Sequence, residues 1–346
     1  MCQLRCPACP RARGETRESL GNGYLRAEDY RRLLRANPWV NRVELSNWGE
    51  AMLSPDLVDV LDTSRKMGVH ILLRGGVNLN SASEEQLEAL VRCGVRLIYV
   101  AIDGATQESY EAYRIGGRLE NVLRHVDTIN AIKRRTGSHF PVLAWQMVIM
   151  KSNAHEVKLA QAMAAERGMI FLTKLCWEPS LRAPVEGLGS NITVTYSGGE
   201  RGPDAEQRLI QRIGDSMCMN LWDAPQLNFD GKILGCVYNH WGNFGRLEFG
   251  KSLLPHLEGG LIGATRRALA GEGPMPSESP CRQCQFYTDR LNTGHWLTPQ
   301  RRGEIPSELR PPAPWRLFHR VEDLLRSSSW RVARSLGAEI VKRSRY

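Results

Sequence analysis

Leu97-Ile98-Tyr99-Val100-Ala101-Ile102-Asp103-Gly104 is a short apolar run that stops on a turn dipeptide. Its β-branched and aromatic residues read as a strand, and the text on either side repeats the pattern. Upstream, Ser81 or Ser83 can cap a helix with Leu87, Leu90 and Val91 on one face, ended by Gly94. Before it come a strand at His70–Leu73, a helix from Pro55 to Gly68 carrying Leu57, Val60 and Leu61, and a strand at Val43–Ser46. Downstream, a helix is expected around Leu119–Arg135, with Val122, Val126 and Ile129 on one side. A strand at Pro141–Met150, a helix at Ala154–Arg167 and a strand at Met169–Leu175 complete the series. Strands alternating with helices of this length mean βαβ units and a parallel sheet. With right-handed crossovers such a sheet either curls towards a barrel or stays doubly wound.

The composition agrees with a folded α/β protein. The 346 residues, 42% apolar and 24% charged, suffice for roughly two domains and a large core. No apolar run approaches the roughly 18–20 residues of a membrane span. The N-terminus lacks a charged-then-apolar signal pattern, which points to a cytoplasmic protein. A disordered chain, a disulfide miniprotein and an integral membrane protein are excluded. The net charge is +9, of which 311–346 carries +5 (eight Lys or Arg against three acids). The main body has no basic stripe of the kind nucleic-acid binding needs.

Residues 178–208, rich in Gly and Pro, read as a connection between domains. Gln226–Cys236 reads as a hairpin whose Asp230-Gly231 suits a type I′ turn. The second region looks small and loop-rich. Pro306, Pro311, Pro312 and Pro314 precede a tail with apolar residues at helical spacing, expected to form basic amphipathic helices over 315–343. Such helices either pack on the body or attach to an anionic membrane surface or acidic partner. The expected organisation is 1–177, 178–208, 209–300 and 301–346.

Nine cysteines, an odd number without a secretion signal, argue against a disulfide framework. Cys2, Cys6 and Cys9 form a CxxxCxxC triplet. Structural zinc normally takes four protein ligands. Three thiolates in one loop suit a [4Fe–4S] cluster with one iron open to another ligand. Zinc completed by a distant Cys or His is the alternative. Cys218, Cys236, Cys281 and Cys284 form a second set. Cys93 reads as a structural thiol.

From the triplet onward the chain resembles the radical S-adenosylmethionine (SAM) superfamily. Asn47-Trp48-Gly49-Glu50 looks like that family's GGE-type motif, which implies contact with the methionine amino group of SAM. Tyr99–Gly104, continuing to Tyr110, Tyr113 and Arg114-Ile115-Gly116-Gly117, resembles its strand–loop–helix block. There Arg114 is implied to pair with the SAM carboxylate, and Asp103 to belong to the same site. Trp145-Gln146-Met147 resembles the following strand, placing Gln146 among the cofactor contacts. The likeness runs over about 1–176 in the family's motif order.

It implies a partial (β/α)6 TIM-like barrel and a [4Fe–4S] cluster on Cys2, Cys6 and Cys9. SAM bound at the open iron would be cleaved to a 5′-deoxyadenosyl radical that abstracts a substrate hydrogen. The family has a strand ahead of its cysteine loop. Cys2 is the second residue here, so either the chain starts late or an upstream segment is missing, and the first strand is left open. Ala8, Arg74-Gly75-Gly76 and Ala101 depart from the family's pattern, and ribose contacts by side chains are not carried over.

Cys218, twelve residues, Gly231, four residues and Cys236, then Cys281-Arg-Gln-Cys284, resemble the SPASM/Twitch extensions of these enzymes. Four cysteines imply a single auxiliary [4Fe–4S] cluster that passes electrons. A four-thiolate zinc site is the alternative reading of the same set. The implied reaction is a two-electron oxidation of a carbohydrate-like small molecule, with a flavodoxin- or ferredoxin-type electron donor. Epimerisation with Cys176 as hydrogen donor, peptide maturation, and a non-catalytic zinc scaffold remain alternatives. Cys176 follows the last strand, where barrel active sites lie; a simply packed thiol is its other reading.

Overall fold

In the computed structural model, which describes residues 1–45, 47–183 and 205–297, five strands form one sheet. They are β1 (Arg42–Glu44), β2 (His70–Val77), β3 (Leu97–Ala101), β4 (Val142–Ile149) and β5 (Ile170–Leu175). Each lies parallel to the next in sequence, in the order β1-β2-β3-β4-β5. The helices between them are α3 (Leu57–Lys66), α4 (Glu84–Arg92), α5 (Gln107–Tyr113), α6 (Leu119–Thr136) and α7 (Val157–Glu166). Two earlier helices, α1 (Arg17–Leu20) and α2 (Ala27–Ala36), precede β1 and are absent from the sequence reading.

The strand order decides between the two sheet types left open above. A doubly wound sheet reverses direction at a switch point and carries helices on both faces; this one steps one way only. Ile71, Leu73, Ile98, Val100, Leu143 and Trp145 face the helices and share one core with residues of α3, α4, α6 and α7. The opposite face holds a small cluster of strand residues alone: Leu72, Leu97, Ala144 and Leu172. One helix-covered face and one inner face make an arc of a barrel. The (β/α)6 expectation is met in architecture, with five parallel strands among the described residues.

Local chemistry explains the elements. α4 starts on a capping box, in which the Ser83 hydroxyl accepts from Gln86 N and the Gln86 side chain accepts from Ser83 N. That reciprocal pair satisfies two backbone donors a helix start leaves orphaned. α6 buries Leu119, Val122, Val126, Ile129 and Ile132, one stripe at helical spacing, and ends on left-handed Gly137. Trp145, fully buried in β4, donates its indole N–H to Ile102 O at 2.9 Å. At Gly104 a Cβ would stand 2.3 Å from Tyr110 N, so only glycine lets the β3–α5 loop fold back on the helix start.

A second core gathers α8 (Ala205–Asp223), the antiparallel pair β6 (Gln226–Leu227) and β7 (Ile233–Gly235), α9 (Leu254–Glu258), α10 (Gly260–Leu269) and α11 (Gln285–Thr293). This region is helical rather than loop-rich. The expected connection over 178–208 is also cut short, because α8 begins at Ala205. The hairpin is present, but its turn is not type I′, which needs positive φ at both central residues. Only Gly231 is left-handed (φ +88), and Asn228 O accepts from Gly231 N while Asn228 N donates to Lys232 O. The reach from Asn228 to Lys232 needs more than two loop residues.

Asn37, just past α2, ties the units together. It donates to Lys251 O and accepts from Leu253 N. The tail helices expected over 315–343 lie outside the described residues. No helix among the described residues is long and apolar enough to cross a membrane.

Candidate active site at the C-terminal edge of the sheet

The residues after each parallel strand converge on one edge, where such folds place their chemistry. Glu50 follows β1, Asn78 β2, Asp103 β3 and Cys176 β5, while Gln146 sits within β4. The cysteine loop packs against this edge. Arg5 N donates to Ile115 O, and Cys9 N to Cys6 O. Asn78 Nδ2 lies 3.9 Å from Cys2 Sγ, and Gln3 donates to Asn78 Oδ1 at 3.0 Å.

Asp103 and Arg114 form the central pair. Asp103 is fully buried; its Oδ2 accepts from Arg114 Nε at 2.6 Å and its Oδ1 from Val148 N at 2.7 Å. Arg114 Nη1 stands 3.7 Å from Cys6 Sγ. Asp103 therefore spends its lone pairs aiming Arg114, and Arg114 presents its remaining nitrogens to the cysteine loop. Burial pushes the Cys6 thiol up to about 11, with Arg114 the main opposing influence. Burial also raises Cys2. Thiols in this state lose their protons when a metal takes the sulfur.

Glu50 is nearly fully buried, and burial pushes its carboxyl up. Its two oxygens accept from Met52 N at 3.0 Å and Asn78 N at 2.8 Å, so it fastens the β1 loop to the end of β2. Gln146 is 4% exposed, and its Oε1 is a buried acceptor without a hydrogen-bond partner. A buried unpaired carbonyl is costly, and a donor from a bound cofactor would satisfy it. Gly49 lies at the same edge, its neighbour Glu50 donating its N–H to Met1 O.

Asn47 and Trp48 are placed elsewhere. Asn47 donates to Gln226 Oε1 at 2.7 Å and Val237 O at 3.0 Å, and the Trp48 ring meets His240 edge-on at 5.2 Å. Both join the sheet edge to the hairpin unit. Cys176 is 1% exposed, and burial raises its thiol, so it stays protonated at neutral pH. Half-buried Lys174 lies over the Tyr99 ring, and desolvation lowers its ammonium to about 8. A cavity of 310 Å³ beside the loop is lined by Cys2, Arg5, Arg11 and Arg17 among others. Cys93 is apart from the site, donating to Asp62 at 3.0 Å.

The second cysteine set is drawn from four elements. Cys218 lies on α8, Cys236 follows β7, Cys281 sits in a 3-10 turn and Cys284 caps α11. Each of the last three thiols feels the charge of Cys218, and burial is the largest influence on all four. Burial holds Cys236 up at about 12 and Cys284 at about 11. Among the described residues no group of three or more His, Cys, Asp or Glu is drawn close enough to be a ready-made single-ion site. Thiolate-only donors suit an iron–sulfur cluster.

A row of aromatic rings runs from Trp177, next to Cys176, to residues near the second set. Trp177 and Tyr238 have ring centroids 6.1 Å apart, Tyr238 and Phe286 5.1 Å, and Tyr238 and Trp241 5.6 Å. The sequence reading missed Asn78, Asn153, Asp215, Arg290 and His295. Asn153 donates to Asp103 O and Val148 O, locking the loop after β3. None carries a motif, and only the folded chain gives them their partners.

Known proteins share this architecture. No family model matches the sequence. An AdoMet-dependent heme synthase of Methanosarcina barkeri is 23% identical over 171 residues, covering 49% of this chain and 46% of that protein. Streptococcus suis SuiB bound to precursor peptide SuiA superposes with a TM-score of 0.54 at 14% identity, over 83% of this chain and 67% of SuiB. Native anSMEcpe with bound AdoMet and Kp18Cys peptide gives 0.53 at 13% identity, over 83% and 84%. The chain thus spans about half the length of the curated relative it matches. The chain shares the fold of these AdoMet-binding structures, with a three-cysteine loop at the C-terminal edge of its sheet.

Proposed function

We propose that the chain is a radical SAM enzyme that holds a [4Fe–4S] cluster on Cys2, Cys6 and Cys9 and oxidises a substrate seated at the C-terminal edge of the sheet. When bound, the cluster and SAM would supply a 5′-deoxyadenosyl radical able to take a hydrogen atom from an unactivated C–H bond. The observation that carries this reading is the Asp103–Arg114 pair aimed at Cys6. A buried guanidinium beside a three-thiolate loop is a carboxylate receptor at the open iron. Gln146 Oε1 offers the buried acceptor. Glu50 shapes the edge through its two backbone bonds, and its carboxylate suits an ammonium group.

The second cysteine set is read as an auxiliary [4Fe–4S] cluster that accepts the substrate radical's electron, giving a dehydrogenation. A carbohydrate-like small molecule is the substrate class that the Twitch-like cysteine count favours. A peptide substrate is the second reading, favoured by the peptides in the SuiB and anSMEcpe structures. A flavodoxin- or ferredoxin-type donor would supply the initiating electron. Cys176, buried as S–H, is the hydrogen donor required if the reaction is instead an epimerisation.

The test is anaerobic incubation of the reconstituted chain with SAM and reductant. Cys6→Ala is expected to abolish 5′-deoxyadenosine formation, since two thiolates do not hold the cluster with a defined open iron. Undiminished formation would refute the site. Substrate trials then read the product mass. Loss of two hydrogens supports oxidation, whereas unchanged mass with one solvent deuterium supports epimerisation.

A further inference from the structure

Beside the auxiliary cysteines lies a charged network that none of the steps above uses. Arg290, on α11, is 3% exposed. Its Nη2 contacts Asp215 Oδ1 on α8 at 2.7 Å, and its Nη1 donates to His295 O at 3.0 Å. Asp215 Oδ2 is 3.0 Å from His295 Nε2. Asp215 and Cys218 stand three residues apart on α8, on one face of the helix, so the guanidinium held by Asp215 lies next to the Cys218 thiol and acts on it by charge. Arg290 Nε is buried without a hydrogen-bond partner. Asp215 compensates the guanidinium's charge but leaves that N–H unmatched, and the sulfur of a thiolate-ligated cluster beside it would be an acceptor.

We infer that Arg290 is a positioning residue that sets the reduction potential of the auxiliary cluster through Cys218, with Asp215 as the counterweight that limits its effect. This rests on the auxiliary-cluster reading above. Reduction adds one negative charge to a site whose potential depends on local charge, hydrogen bonds to sulfur and burial. A fixed cation against one ligand sulfur stabilises the reduced state more than the oxidised one. Asp215 partly cancels that field. The two residues therefore act on the potential with opposite signs, which a purely structural role in joining α8 to α11 does not predict.

The experiment is an anaerobic redox titration of the full chain with both clusters loaded, followed by electron paramagnetic resonance with and without SAM. The signal insensitive to SAM belongs to the auxiliary cluster. Arg290→Gln is expected to lower its midpoint so that, at fixed ambient potential, the ratio of reduced to oxidised cluster falls about tenfold (about 59 mV for one electron). Asp215→Asn is expected to raise it, and Arg290→Lys to fall between wild type and Arg290→Gln. If Arg290→Gln fails to load the second cluster, the upward shift in Asp215→Asn decides alone. Two loaded clusters with an unmoved midpoint, or shifts of the same sign in both variants, would overturn the inference but leave the cluster reading standing. Zinc in place of the second cluster's iron in the wild type would overturn both.

Discussion

Arg114 joins three facts that are separate in the sequence: a buried carboxylate, a cysteine and a loop after α5. Its Nε is committed to Asp103, so only the rest of its fork can meet a ligand. Truncating it to alanine would strand Asp103 without its cation, which for a buried pair costs about 3–5 kcal/mol of stability. Arg114→Lys keeps the charge and loses the fork, and is the sharper probe. SAM affinity of the cluster-loaded protein, by equilibrium dialysis, is expected to fall roughly tenfold, or about 1.4 kcal/mol. Unchanged affinity would show that the carboxylate is bound elsewhere. Asn47 and Trp48 teach the opposite lesson. Their place in a motif suggested cofactor contact, yet their side chains are used in packing against the hairpin unit.

At the scale of the element, the loop between β3 and α5 depends on Glu156, which enters from the turn before α7. Its carboxylate accepts from Ala105 N and the Thr106 hydroxyl, both at 2.6 Å, and from Ser109. Burial opposes ionisation, but these donors outweigh it and hold the carboxyl below its ordinary value of 4.5. The folded state thus binds the proton less readily than the unfolded chain. The stabilisation is fully present above about pH 4.5 and is lost as pH falls below it. Glu156→Gln should accordingly lie below wild type in melting temperature at pH 7, with the gap narrowing as the pH approaches 4. A gap independent of pH would mean that the carboxylate charge contributes nothing. The element also shows why sequence reading placed strands and helices well here. Each has a strong local signal: the Ser83 capping box, the Gly137 stop, the apolar stripe of α6.

At the scale of the whole molecule, two cores meet along the C-terminal edge of the sheet. Asn47, Trp48 and Asn37 fasten the joint, and Trp177, which follows Cys176 after β5, packs on Tyr238 of the second unit. Asn47→Ala removes two hydrogen bonds to the hairpin region, each worth about 1 kcal/mol. Amide hydrogen exchange over 226–240 is expected to quicken about fivefold or more, with α4 unaffected. Equal protection in the variant would show that the units are held by apolar packing alone.

The residues by themselves determined the alternation of strands and helices, the parallel sheet and the two cysteine sets. These follow from periodicity, caps and spacing, which are local properties that survive without knowledge of neighbours. The helices of the second unit were less legible. α10 begins on glycine, and α9 is five residues long, so neither announces itself by propensity. Only the tertiary structure decided that the sheet is a one-faced arc, that Asp103 serves Arg114, and that Arg290 and Asp215 flank Cys218. Those outcomes depend on which side chains lose water together. Residues 75 positions apart, Asp215 and Arg290, acquire their charge relationship only when α8 and α11 pack and exclude the solvent that would otherwise screen it.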